Sequence, residues 1–334
     1  MSDQRTVFDV VAVGDTTQDV FLQMSDASVQ CDLDGENCKI CFDYADKIAV
    51  EQKTDVPAVG NAANNAIGIS RLGLRAALYT VVGDDVQGHL AADVLRENRV
   101  DTRYVVFDKK HGTNFSAVIN FQGERTILVY HEPRDYQLPA IADTRWLYVT
   151  SAAGEGVTQL HEQVLAYLGS NSRVRLAFNP GTHQMHLGLA KLRPLLTQTE
   201  ILFLNREETA ELFGAPKDDM TQLVREAHAA GVKNMVLTDG PAGAYASDGK
   251  TVIFHRIFPG PVLERTGAGD SYGAGFLAGV IRGLTVGEAM MWGNANATSV
   301  VQYIGARQGL LDEAGVRRLI AAHPEVRPEV FATL

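Results

Sequence analysis

Three cysteines, two tryptophans and no block of basic residues make a short inventory for a chain of 334 residues. Each scarcity excludes something. Lysine and arginine total 30 against 40 aspartate and glutamate, a net charge of −10, and no basic run breaks that balance. A nucleic-acid partner or an anionic membrane surface is therefore not expected. No apolar run approaches the roughly 18 residues that a membrane span needs. Met1–Arg5 is polar and leads straight into a strand-like run, so no signal peptide is expected and the default location is cytoplasmic. Internal repeats, low-complexity tracts and linkers are missing. The length suits one large core, or a core with a smaller attachment.

The few cysteines are crowded. Cys31, Cys38 and Cys41 fall within eleven residues, a spacing that could supply three ligands of a zinc site. Asp32, Asp34 and Asp43 lie near, but the full four-ligand spacing is missing, and unrelated thiols are the plainer reading.

What is present is organised around Glu264-Arg265-Thr266-Gly267-Ala268-Gly269-Asp270, which runs into Ser271-Tyr272-Gly273-Ala274-Gly275-Phe276. A turn-forming Thr-Gly-Ala-Gly opens a long helix of small and apolar residues. Glycines let successive backbone N–H groups converge, and a helix N-terminus adds unpaired N–H groups and partial positive charge. That is a place for phosphate, or for charge developing on a phosphoryl group. Asp270 puts a carboxylate beside it, and an anion hole next to a base suggests phosphoryl transfer to an alcohol. The bland alternative is a glycine-rich helix start with a dipole-compensating aspartate. The helix N-terminus is also expected to favour the ionised form of Asp270 and so lower its basicity.

Along the chain, a buried-strand run Val7–Val13 ends at Gly14-Asp15, followed by Thr16-Thr17-Gln18-Asp19. Asp15 and Asp19 could accept hydrogen bonds from polyol hydroxyls, or form a solvated turn. No G-x-G-x-x-G follows this strand, which weakens a dehydrogenase reading. Residues 20–58 break the rhythm with strand-like pieces at 39–44 and 47–50. Gly60-Asn61-Ala62-Ala63-Asn64 then opens a helix. Asn61 and Asn64 offer amides suited to sugar hydroxyls, unless Asn61 merely caps the helix. Strand and helix alternate from Ala76: strands at 76–82, 103–107, 146–150, 174–178, 200–204 and 234–238, with helices at 87–98, 157–169 and 219–230. A hairpin is expected over 113–121 and 125–131, and with 20–58 it could form one small sheet. Two β-rich pieces, 243–247 and 251–256, precede the glycine motif, and helices are expected at 268–282, 286–303 and 312–322. This order predicts an α/β fold with a mostly parallel sheet covered on both faces.

Asp15–Asp19, Gly60–Asn64, Asn205–Glu208 and Thr238–Gly243 all fall at strand ends, which share one edge in a parallel sheet. On these motifs the chain resembles the ribokinase-like, or phosphofructokinase-B, family of carbohydrate kinases, over essentially residues 6–310. The family's Asp-Thr-Thr/Asn-Gly-Ala-Gly-Asp is matched by Glu264–Asp270, its Gly-Gly-x-x-x-Asn by Val59–Asn64, its Asn-x-x-Glu by Asn205 and Glu208, and its Thr-x-Gly-x-x-Gly by Thr238, Gly240 and Gly243. The resemblance implies a ribokinase-like three-layer fold, a single kinase domain over 1–334, with a β-sheet lid from 20–58 and 107–133. It implies an ATP-dependent kinase of a free sugar or polyol, the alternatives being a nucleoside kinase and a catalytically inactive ligand-binding member. Asp270 would be the base, and Gly267, Ala268 and Gly269 would donate N–H groups to the γ-phosphoryl. Asn205 and Glu208 would organise Mg²⁺ through water. Thr238, Gly240 and Gly243 would hold the nucleotide phosphates, with Asn294 and Ala297 lining the base pocket. Asp15, Asp19, Gly60, Asn61, Asn64 and Phe115 would bind the acceptor, and the lid would pair two copies into a homodimer.

The departures from the family pattern are specific. Glu264-Arg265 replaces Asp-Thr, which leaves open the K⁺ site that relatives build from main chain at the positions of Glu264 and Thr266. Val59 and Asn61 argue against ribose. Gly112–Phe115 lacks the arginine with which phosphosugar kinases of the family hold a substrate phosphate. An unphosphorylated acceptor follows, with Arg125 and Arg134 as the substitutes to check. Phe42, Tyr44, Phe115 and Phe121 could sandwich a base, or pack the lid's own core.

Overall fold

The computed structural model describes residues 8–32 and 38–334; Met1–Arg5, Val7 and Asp34 lie outside the described residues. In chain order the first half runs β1 (Phe8–Val13), β2 (Thr17–Met24), β3 (Ser28–Cys31), β4 (Cys38–Cys41), β5 (Val50–Val59) and α1 (Asn61–Arg71). Then come β6 (Ala76–Gly83), α2 (Val86–Glu97), β7 (Val105–Asp108), β8 (Asn114–Phe121), β9 (Glu124–Tyr130) and β10 (Thr144–Val149). The middle comprises α3 (Val157–Ser170), β11 (Arg175–Phe178), α4 (Thr182–Met185), α5 (Leu189–Leu196), β12 (Thr199–Asn205), α6 (Arg206–Phe213) and α7 (Met220–Ala229). The chain ends with β13 (Asn234–Thr238), β14 (Ala244–Ser247), β15 (Thr251–His255), α8 (Ala268–Ile281), α9 (Val286–Val300), α10 (Glu313–Ala322) and β16 (Glu329–Thr333).

Among the described residues these strands form a ten-stranded sheet, β16-β15-β14-β13-β12-β11-β10-β1-β6-β7. It is parallel from β13 to β7 and antiparallel at the β14–β16 end. Strands buried on both faces need helices on both. Leu160, Val164, Leu192, Leu223 and Val224 of α3, α5 and α7 pack on one face with Val11, Leu147 and Leu202. Helices α8, α9 and α1 cover the other face, through Phe276, Met290 and Ile69 against Val10, Trp146 and Phe203.

Helix α8 is buried almost all round, which its small residues permit. A Cβ on Gly275 would stand 2.5 Å from the Trp292 carbonyl oxygen, and one on Gly279 would stand 2.9 Å from Ala289 Cα. The backbones of α8 and α9 therefore approach closely, and α8 enters the core as a rigid post with its N-terminus at the sheet's carboxyl edge.

A separate four-stranded sheet, β5-β2-β8-β9, stands apart from the large one. It draws on two excursions, as the alternation suggested, but its boundaries differ. The strand near 103–107 is β7, which pairs with β6 in the large sheet, so the second excursion begins later than 107. The piece at 47–50 is not a strand of its own; Val50 starts β5, which runs ten residues to Val59. Cys31 and Cys38, opposite each other in the β3–β4 hairpin, are joined in a disulfide, and Cys41 is free. Among the described residues no group of His, Cys, Asp and Glu could hold a metal ion by itself, so the zinc reading falls. No helix of the described residues is long and apolar enough to cross a membrane.

Candidate active site

Gly267 turns the chain into α8 at φ 75°, and a Cβ there would run into Ala306. Both facts require glycine. Gly269 has open space where a Cβ would point. First-turn N–H groups of a helix have no intrahelical acceptor and can serve an anion; of those in α8, Ala268 N–H makes a long bond back to the Arg265 carbonyl oxygen, 3.3 Å, which an anion would displace.

Asp270, in that first turn, is 8% exposed. Its Oδ2 accepts from Asn64 Nδ2 at 2.9 Å, which joins α1 to α8 across 206 residues. Asn64 is buried, and its Oδ1 has no protein partner. The expectation that the helix end makes Asp270 a weak base does not hold. Burial raises its pKa to about 6, Asn64 acting against the rise and the nearby Glu208 adding to it. Desolvation of a closed carboxylate outweighs the helix field here.

Asn205 and Glu208 close the N-terminus of α6 as a capping box. Glu208 N–H donates to Asn205 Oδ1 at 2.8 Å, and Asn205 N–H donates to Glu208 Oε2 at 2.9 Å. Burial also raises the pKa of Glu208, against the Asn205 N–H and with Glu207 and Glu211 adding. Two carboxylates that each disfavour ionisation, one of them raised by the other, suit a divalent cation held through water. The residues present therefore fit Mg²⁺.

Asn205 and Thr238 are direct neighbours at the ends of β12 and β13. With Gly240, Gly243, Ala268, Gly269, Asn294 and Ala297 they line one cavity of about 400 Å³. Asn294 serves as wall, because its side chain is spent inside the protein: Nδ2 donates to Arg256 O at 2.6 Å, and Oδ1 accepts from Phe258 N–H and Thr298 Oγ1. Arg265, Phe258, Ile257 and Tyr272 also line the cavity. Sequence reading gave none of these four a place in the cavity. Arg265 and Tyr272 lie in or directly after the glycine motif, which was a usable signal; Ile257 and Phe258 had none.

On the acceptor side the structure separates the expected residues. Gly60 is the N-cap of α1 at φ 101°, with its Cβ position 2.9 Å from the Asp15 carbonyl oxygen, so only glycine fits. Asn61 is the first residue of α1 rather than its cap. Asp19 is paired with Ser116 in the β2–β8 register. Burial raises its pKa to about 6, Ser116 lowers it, and Glu264, Arg307 and Arg125 act after these.

Asp15 and Phe115, also expected at the acceptor, are placed differently from Asp19. Asp15 is buried, and each of its oxygens already has a donor inside the protein: Oδ1 accepts from Tyr136 Oη at 2.7 Å and Oδ2 from Ala153 N–H at 3.0 Å. Phe115 is paired with Gln18, one residue out of step with Asp19 and Ser116. Strand side chains alternate, so Phe115 lies on the opposite face of the small sheet from Asp19. Of the other aromatics, Phe121 is buried in the small sheet's own cluster and Tyr44 is fully exposed. Arg134 is buried with its guanidinium on Gly112 O, Asn114 Oδ1 and Asp108, and is not available as a phosphate-holding substitute. Arg125 pairs with Glu264 at 3.3 Å.

A model of the pfkB family of carbohydrate kinases matches residues 25–313. Among curated proteins, the chain is 25% identical over 266 residues to an ATP-dependent 6-phosphofructokinase of Thermoanaerobacterium thermosaccharolyticum, covering 76% of this chain and 81% of that protein. It is 28% identical over 284 residues to a 5-dehydro-2-deoxygluconokinase of Geobacillus kaustophilus, covering 79% and 84%. Among solved structures, Arabidopsis thaliana ribokinase complexed with ribose and ATP superposes with a TM-score of 0.78 at 20% identity, over 94% of this chain and 99% of that one. The Methanocaldococcus jannaschii nucleoside kinase gives 0.75 at 18% identity, over 96% and 99%. At those identities the structural likeness speaks to the ribokinase-like fold alone.

Proposed function

We propose, from the premise that this chain belongs to the pfkB family of carbohydrate kinases, that it transfers the γ-phosphoryl group of ATP to a hydroxyl of a free sugar or polyol. The observation that carries the reading is Asp270, buried at the N-terminus of α8 and fixed by Asn64, directly after Ala268 and Gly269, which line the cavity of about 400 Å³.

The acceptor hydroxyl lies against Asp270 and gives it a proton as the oxygen bonds to the γ-phosphorus. The bond from that phosphorus to the bridging oxygen breaks, and ADP leaves. N–H groups of Gly267, Ala268 and Gly269 face the charge on the transferring group. Asn64 keeps Asp270 aimed, and its unpartnered Oδ1 is an acceptor for a second hydroxyl. Asp19 takes another hydroxyl from the small-sheet side, beside Gly60 and Asn61. Thr238, Gly240 and Gly243 hold the phosphate chain, and Asn294 and Ala297 wall the base. Mg²⁺ held through water at Glu208 would neutralise phosphate charge. The small sheet, closing as a lid, would exclude water from the transfer.

Arg134 is occupied inside the protein and Arg125 faces Glu264, which supports an unphosphorylated acceptor. A nucleoside acceptor is the second reading; Phe115 lies on the face away from Asp19, which counts against a lid-side base sandwich. An ATP-using enzyme of this kind would work in the cytoplasm, as a homodimer paired through the small sheet. The test is ATP-coupled phosphorylation across sugars, inositols, polyols and nucleosides. Turnover of a sugar or polyol that vanishes in Asp270→Asn is expected. Efficient turnover of adenosine alone would favour the second reading, and no phosphotransfer to any member of the panel would overturn both.

A further inference from the structure

The family resemblance left open a main-chain K⁺ site at Glu264 and Thr266, and the side chain beside it is already committed to donors. The Glu264 side chain is 15% exposed and surrounded by donors. Thr266 Oγ1 and Arg125 Nη1 donate to Oε1, the latter at 3.3 Å, and Gly305 N–H donates to Oε2 at 2.6 Å. A cation needs converging acceptors. Here one of the donors is itself a full positive charge.

This carboxylate joins three segments. Arg125 belongs to β9 and is in register with Asn120 of β8, which puts it on the same face of the small sheet as Ser116 and Asp19. Thr266 precedes the Gly267 turn. Gly305 precedes Ala306, the residue that Gly267 packs against. The next residue, Arg307, donates to the Pro57 carbonyl of β5. Strands β9 and β5 are the two edges of the small sheet, so arginine contacts hold both edges to the same turn of the core.

We propose that Arg125 and Glu264 are positioning residues for phosphoryl transfer, with the guanidinium supplying from the lid the charge that a monovalent cation would otherwise bring to the Gly267 turn. The pair couples closure over the acceptor to the shape of the anion hole, and the enzyme turns over without added K⁺. This rests on the kinase reading, so one arm of its test is independent of activity.

With the full chain and an acceptor from the panel, wild-type rates are expected to agree in K⁺, Na⁺ and tetramethylammonium buffers. Arg125→Gln should raise the acceptor KM and lower kcat/KM about tenfold, the size of a direct pair coupling. It should also become activated by K⁺. Arg125→Lys should recover most of the loss, and Arg125→Gln with Glu264→Gln should be no worse than either alone. Amide exchange of β8 and β9 in the substrate-free protein should quicken in Arg125→Gln, with unchanged protection in β10 and β11 showing that the fold is intact. Strict K⁺ dependence of the wild type would overturn the proposal, as would an Arg125→Gln variant equal to wild type in both acceptor KM and exchange. If no acceptor is phosphorylated, the exchange arm alone decides whether the latch exists.

Discussion

A carboxylate at a helix N-terminus is normally stabilised in its charged form, yet burial makes Asp270 a stronger base than that position suggests, with a pKa of about 6. The acid limb of kcat/KM should therefore fall near pH 6, rising with pH as Asp270 loses its proton. Asp270→Asn should lose about 10²–10⁴-fold in kcat, the usual span for a general base. The same substitution removes a charge that the fold tolerates poorly, so denaturant unfolding at pH 7 should show a gain of roughly 2 kcal/mol. A variant that loses both turnover and stability would count against the assignment. Gly267 and Gly269 should also part company. Gly267→Ala meets both the positive φ and Ala306, and should destabilise the protein by several degrees in Tm. Gly269→Ala, with open space around it, should melt like wild type but lose turnover, because its methyl group would stand in the phosphoryl path. Single residues were where sequence reading was least secure. Asp15 and Asp19 look alike in the chain, and only the fold shows that Tyr136 and Ala153 claim the first.

At the scale of elements, Asn205 and Glu208, proposed above to organise Mg²⁺, also close the N-terminus of α6. Four positions of a ligand motif are also the four positions of a capping box, and α6 is short enough to go unread behind it. Helices α4 and α5 were missed for a similar reason: Pro180, Gly181, Gly188 and Pro194 make the segment read as loop. Strand β2 was hidden because half its residues are polar, and β16 because it only extends an edge. The alternation from Ala76 to Thr238 was legible because buried parallel strands are continuous apolar runs. The run of glycines in α8 was legible as small, but not as the surface that receives α9. Gly275→Ala tests that contact: a methyl group 2.5 Å from the Trp292 carbonyl must push the helices apart, at a cost of roughly 1–3 kcal/mol measured by denaturant unfolding. An unchanged midpoint would mean that α8 and α9 adjust without strain.

For the whole molecule, charge and edges set the remaining expectations. Asp15, Asp19 and Asp270 each have a pKa raised to about 6 by burial. Between about pH 4 and pH 6 the folded chain holds more protons at these sites than the unfolded chain, so their contribution to stability falls as pH rises. Asp101 and Asp248 have lowered values, chiefly through hydrogen bonds from Arg103 and the Thr251 N–H, and their contribution is lost as pH drops below 4. Buried His161 and His255, whose pKa values desolvation lowers to about 4, act the other way, because below about pH 6.5 the unfolded chain binds protons there that the folded chain does not. The two sets oppose each other, so thermal unfolding of the ligand-free protein should change little between pH 5 and pH 8; a steep slope in either direction across that range would contradict the balance. The edges concern association. Strand β9 ends the small sheet, and Ile127, Leu128, Val129 and Tyr130 along it are 42–57% exposed. These four occupy both faces of an unpaired edge, an arrangement prone to join another strand unless it is covered. A second copy meeting it across a two-fold axis would pair β9 with β9 and bury all four side chains, while Arg125 stays on the face toward its own core. Sedimentation at micromolar concentration should give a dimer, and Leu128→Lys with Val129→Lys should give a monomer with an intact fold. Wild-type monomer under the same conditions would leave β9 a bare edge and remove the dimer.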